Sequence, residues 1–228
     1  MELEIKTLYQ VSISVGVLMG LLLLIAWLQQ RAMAALAWWS GAMLLVAVGL
    51  ALIGARGIIH HVHSIAIGNA LIALAVAGFW TGARVLERRS VHHVGLFAGV
   101  AVWLAACLIP SFYGSINART ILISAILGGY TLLTAYEFWQ RRGAWLLSRQ
   151  LAVALLVAHG VLFLLRVPFT FASPMQEALP GSFGGWYLFL VYETILYKIA
   201  LGFTLFAMAK DDSVRGVKTV TAKRVRSR

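Results

Sequence analysis

A single cysteine, Cys107, stands among 228 residues, so the chain holds no disulfide framework of its own. Charge is scarce: Asp, Glu, Lys and Arg make up 12% of the residues, about half the share of an average soluble domain. Acids are scarcer still, eight against nineteen Lys and Arg. With 61% hydrophobic residues and mean hydropathy +0.86, an ordinary soluble fold is excluded. Disorder is excluded too, because it needs low hydrophobicity. No GxxxxGK(S/T), GxGxxG, CxxC or HExxH is present, which removes the phosphate-cradling, dinucleotide, redox and zinc-hydrolase motifs. Strict alternation is also missing from runs such as VGVLMGLLLLIAWL, so an outer-membrane barrel does not fit.

What is present is a series of long apolar runs. A membrane-crossing helix needs about 20 mostly apolar residues. Seven runs qualify: 8–28, 33–53, 64–83, 93–110, 120–139, 150–167 and 186–207. The expected fold is therefore all-α, a polytopic membrane bundle of seven transmembrane helices over residues 1–210. A basic cytoplasmic tail follows over residues 211–228. The first run follows MELEIK, which is not a basic leader, and it is too long for a signal-peptide core, so it is kept as a membrane helix. Residues 168–185 carry Pro168, Pro174 and Pro180 and read as a surface loop.

The net charge of +11 is explained by topology. With the N-terminus outside, fourteen of the nineteen Lys and Arg fall on the inner side and four on the outer, with Lys198 inside span seven. The positive-inside rule then orients the chain N-terminus out and C-terminus cytoplasmic. Trp27, Trp38, Trp39, Trp139, Trp145 and Trp186 lie near span ends, as an interfacial aromatic belt requires. The basic tail has no interleaved aromatic residue, so nucleic acid is not expected as a partner. The lipid bilayer is, with anionic lipid at the tail.

Ionisable and polar groups inside the membrane are costly and mark candidate sites. Counting from span centres at about 1.5 Å per residue, Lys198 and His159 lie near the midplane. Asn69, Ser124, Glu193 and Arg166 lie further outward on four different spans. Together these six residues form a candidate outer polar cavity, with His159 and Lys198 as its floor. Arg166, from the adjacent span, is the expected partner of Glu193, and Glu137 is expected to pair with Arg141 four residues on. His60, His61 and His63 form HHVH, a weak candidate metal set; otherwise no metal and no cofactor is expected. Gly16/Gly20, Gly78/Gly82 and Gly95/Gly99 are GxxxG pairs, read as helix-packing sites. A retinal site around Lys198 is disfavoured, since span seven has no Asp one turn before the lysine and span three has no carboxylate.

Segments including TLYQVSISVGVLMGLLLLIAWLQQR, GNALIALAVAGFWTGARVLERR, CLIPSFYGSINART and FLVYETILYKIALGFTLFAMAK resemble the N-terminal membrane half of proteobacterial GGDEF-type diguanylate cyclases. The resemblance spans roughly residues 7–210 and touches no catalytic motif. Where that family's cyclase domain would begin, this sequence reads DDSVRGVKTVTAKRVRSR, so the family's catalytic residues have no counterpart here. The resemblance implies a non-catalytic sensory or anchoring module of a cyclic di-GMP-type system in a bacterial inner membrane. It also implies a cytoplasmic signalling partner or a homodimer. The alternative is a small transporter or channel. It is disfavoured because the inner half offers little polar lining beyond Thr81 and Thr131, and an odd span count does not suit two equal inverted repeats.

Overall fold

A computed structural model describes the backbone of residues 2–140, 147–172 and 185–226, and the side chains of residues 7–140, 147–172 and 188–211. The described residues form helices α1 (Glu2–Gln29), α2 (Ala34–Gly54), α3 (Gly68–Leu86), α4 (His93–Cys107), α5 (Pro110–Gly114), α6 (Ile116–Trp139), α7 (Leu147–Ala172) and α8 (Gly185–Arg226). A π-helical segment, Val62–Ile67, leads into α3. Among the described residues the β content is one isolated bridge, between Arg56 and Ile59.

Six helices are long and apolar enough to cross a membrane: Thr7–Gln29, Ala34–Gly54, Val62–Leu86, Ile116–Trp139, Leu147–Ala172 and Leu188–Asp211. The chain is thus an all-helical, multi-pass membrane protein. The run expected over 93–110 forms a 15-residue helix, about 22 Å long, against a hydrocarbon core of about 30 Å. It stops there because Pro110 starts the separate short helix α5.

The six long helices close a ring. Each packs on the next in the order α1, α2, α3, α6, α7, α8, and α8 returns to α1. Helix α4 lies against α3 and α6. Single contacts fix the directions. Ser40 Oγ donates to the carbonyl of Gly20, and Tyr9 approaches Gly54, so α1 and α2 are antiparallel. Arg84 at the end of α3 meets Glu137 at the end of α6, so these two run parallel. Ser148 Oγ donates to Asp211 where α7 begins and the apolar part of α8 ends. One end of the bundle therefore holds the starts of α1, α3, α6 and α8 and is called here the N-face. The other, past which α8 continues, is the tail face.

Close helix approach depends on missing side chains. A Cβ at Gly20 would lie 2.8 Å from Leu44, at Gly95 2.5 Å from Trp80, and at Gly99 2.8 Å from Tyr130. One at Gly82 would collide with the Trp39 indole. A Cβ at Gly16 or Gly78 would lie 3.3 Å from Ala47 or 3.4 Å from Ala42. All three expected pairs thus sit at helix contacts. Two tighter crossings use isolated glycines on each helix. A Cβ on Gly49 would reach 2.7 Å from the Gly68 carbonyl, and one on Gly128 2.9 Å from the Gly160 carbonyl.

Several expectations change. Helix α7 runs through Pro168 to Ala172, so residues 168–172 are helix rather than loop; residues 173–184 of the expected loop, with Pro174 and Pro180, fall outside the described residues. A proline removes one intrahelical hydrogen bond but need not end a helix whose neighbours hold it. Trp39 is no belt residue. It is fully buried, and its indole donates to the Phe79 carbonyl at 3.3 Å. Trp139 is exposed, as a belt residue should be, while the side chains of Trp145 and Trp186 are not described. Helix α8 runs on past residue 210 into the expected tail. It continues to Arg226, 42 residues in all, or about 63 Å.

Candidate ligand-binding cavity

The tail half of the ring is filled. Leu23, Leu36, Trp39, Phe138, Leu201 and Leu205 are all buried in one apolar cluster drawn from α1, α2, α6 and α8. Trp39 and Phe138 meet edge to face at 6.4 Å. Ion pairs close this end. Glu137 takes Arg84 at 3.0 Å and Arg89 at 2.8 Å, while Glu87 takes Arg149 at 2.6 Å with both side chains buried. Arg149 also donates to the carbonyl of Phe138. The expected partner of Glu137, Arg141, lies outside the described residues. The observed partners come from α3 and the turn after it, because α3 and α6 end side by side.

The N-face half is hollow. A cavity of about 730 Å³ occupies the ring's interior, within the usual range of small-molecule sites. All six ring helices line it, and Met43, Phe79 and Leu156 of the apolar cluster form its base. Ile13, Ile72, Ile123, Phe163 and Val191 give it apolar walls. Four of the six candidate residues line it: Asn69, His159, Arg166 and Lys198. Ser124 is fully buried and lies off the cavity, because its position on α6 does not face the interior. Glu193 stands behind His159 rather than lining the cavity.

The polar contacts differ from the expected clamp. The Nδ1 of His159 lies 2.8 and 2.9 Å from the two carboxylate oxygens of Glu193, so the described partner of this carboxylate is His159. Facing a carboxylate, Nδ1 carries the proton, which leaves Nε2 as the second hydrogen-bonding atom of the ring. Tyr197 stacks on that imidazole at 3.6 Å between centroids, nearly parallel, and Phe163 packs on it edge to face. Helices α7 and α8 are antiparallel, which brings residue 159 to the level of 193, whereas Arg166 lies two turns further toward the N-face. Lys198 is buried, and its ammonium donates to the Ser12 hydroxyl at 2.6 Å and the Ser12 carbonyl at 2.9 Å. Asn69 donates to the carbonyl of Ile65 in its own helix.

Helix α8 is thus tied to α7 through Glu193 on the cavity-lining His159, and to α1 through the cavity-lining Lys198. Ser12 carries no signal in the sequence, because nothing in a linear reading makes α1 a neighbour of α8. Arg119 is one of the four outer-side cations of the charge count, and α6 starts at Ile116, capped by Ser115 Oγ on the Ala118 amide. That earlier start carries Arg119 into the first turn, buried and lining the cavity. Arg56, exposed, lines it as well.

The histidines outside the cavity have local roles. His92 accepts the Gly95 amide at 2.9 Å and caps α4. His60 and His63 meet ring edge to ring face at 6.3 Å. No group of three or more His, Cys, Asp or Glu side chains converges on a metal position among the described residues, so HHVH does not form a ligand set. No protein-family model, curated protein or solved structure matches the chain.

Proposed function

We propose that this protein is the input module of a bacterial signalling system of the cyclic di-GMP type, embedded in the inner membrane. A cue enters the cavity from the outside and shifts α8, which hands the change to a cytoplasmic partner or a second copy of the chain. One observation carries this reading. The helix that supplies Glu193, Tyr197 and Lys198 to the cavity region continues unbroken to Arg226. A displacement at the cavity wall is then a displacement of the tail, because a continuous helix transmits axial shift and rotation.

Seven crossings fit this scheme. Helices α3 and α6 end at the same face, joined through Glu137, so the chain between them must return to the N-face. In this reading helix α4 is the returning segment, and Trp103 Nε1 donating to the Ala66 carbonyl supports it. The charge distribution favours the N-face outside and the tail inside, and the resemblance to cyclase membrane halves favours the signalling role. A filled tail half disfavours a channel, and the hydroxyls of Thr81 and Thr131 are spent on carbonyls of their own helices.

The test needs no known ligand. Thr194, which lines the cavity, is replaced by Cys in a Cys107→Ser background, and a bulky maleimide is attached in nanodiscs. Amide hydrogen exchange over residues 211–226 is then compared before and after attachment. A changed exchange rate confined to α8 and the tail is expected. Unchanged exchange at complete modification would refute the relay.

A further inference from the structure

The charge lining the cavity is one-sided. Arg56, Arg119, Arg166 and Lys198 line it, and no Asp or Glu does among the described residues. The nearby carboxylate, Glu193, is engaged by His159. Lys198 is the most telling of the four. It is 3% exposed, and its described contacts are the two neutral oxygens of Ser12. An ammonium has three donors, so one remains after Ser12. A buried charge without an opposite charge is unfavourable, and a cavity with low-dielectric walls concentrates the field of its charges. The same walls are lined by Ile13, Ile72, Phe163 and Val191, which suit an apolar body.

We propose that the cavity binds an anionic amphiphile: one negatively charged head, met by Lys198 and the arginines, on an acyl-like apolar body. The inference rests on the cavity being the input site and names the chemistry of what enters it. A cationic ligand would place a second positive charge beside the Lys198 ammonium. A neutral one would leave it as it is. The anion can reach the site as a free fatty acid or as the head of a membrane lipid, and both present the same chemistry.

The probe set is decanoate, decanol and decyltrimethylammonium, added to the full chain in phosphatidylcholine nanodiscs, with the melting temperature as readout. Decanoate should raise it saturably, and decanol and decyltrimethylammonium should not. Lys198→Met should weaken the apparent decanoate affinity by about tenfold or more, the loss expected for a hydrogen bond to a charged group. Lys198→Arg should keep the response. If Lys198→Met does not fold, Arg166→Gln carries the same expectation. Phosphatidylglycerol in the disc that itself raises the melting temperature and abolishes the decanoate shift would identify a membrane lipid as the source and support the same chemistry. An equal shift with decanol, or undiminished decanoate affinity in both variants, would overturn the proposal. A shift with decyltrimethylammonium alone would overturn the anionic class yet leave the cavity as an input site. Failure of the input reading itself is a separate result, read from tail exchange in the maleimide-modified Thr194→Cys protein.

Discussion

The two halves of the bundle are built from the same six helices and solve opposite problems. At the tail face, charged groups are paired directly: Glu87 with Arg149, and Glu137 with Arg84 and Arg89. Behind them, large side chains such as Trp39, Phe138 and Leu205 fill the ring. At the N-face the ring stays open around a cavity of about 730 Å³. The described contacts of its cations are with neutral groups. Lys198 is held by Ser12, and Arg119 stands over the Tyr113 ring at 5.9 Å. A half that satisfies its own charges is a scaffold, whereas a half that keeps a buried ammonium on neutral oxygens beside an empty volume is suited to receive something. Helix α8 belongs to both halves, which is why it can report on one to whatever meets the other.

Substitutions can break this contrast, and the largest effects belong at the tail face. Glu87→Gln leaves Arg149 buried without its acid. A loss of about 3–5 kcal/mol is expected for one partner of a buried pair, measured by unfolding in mixed micelles. Glu137→Gln should cost less, because side chains of Arg84 and Arg89 remain 17% and 39% exposed and solvent screens them. Gly128→Val should destabilise by about 1–3 kcal/mol through overpacking, because its side chain would press on Leu164 and the Gly160 carbonyl. At the N-face the scale falls. Glu193→Gln keeps a hydrogen-bonding side chain opposite His159 and should cost about 1 kcal/mol. Asn69→Ala should stay within about 0.5 kcal/mol, since its amide bonds only within its own helix. If Glu193→Gln proves as damaging as Glu87→Gln, the N-face is a second scaffold and the contrast fails.

The long helices were legible in the sequence because a crossing helix leaves an apolar run that nothing else in a membrane produces. Depth was legible too: Asn69, His159, Arg166 and Lys198 came out around one cavity from residue counting alone. Rotation about the helix axis was not. Ser124 shares their depth yet lies off the cavity, and an apolar helix with weak amphipathicity gives no sign of which face is buried. Neighbour relations were hidden as well. That α1 closes the ring on α8, and so brings Ser12 to Lys198, follows from the whole topology. Glycine crossings such as Gly49 on Gly68 and Gly128 on Gly160 carry no motif, since each helix contributes one glycine. Trp39 shows the limit of composition rules. Its position near a span end suits a belt, but a carbonyl within reach of its indole let it be buried.

The central claim, a cavity open at the N-face above a sealed tail half, is tested most directly by thiol accessibility. Single cysteines at Ile72 and Thr194 in the cavity, and at Ala135 and Leu205 in the filled half, are placed in the Cys107→Ser background. Each is probed with a membrane-impermeant thiol reagent from either side of sealed vesicles. Labelling at Ile72 and Thr194 from the N-face side alone, with none at Ala135 or Leu205 from either side, is the predicted result. Labelling at Leu205, or labelling at Thr194 from the tail side, would reveal a water path through the bundle and contradict the account.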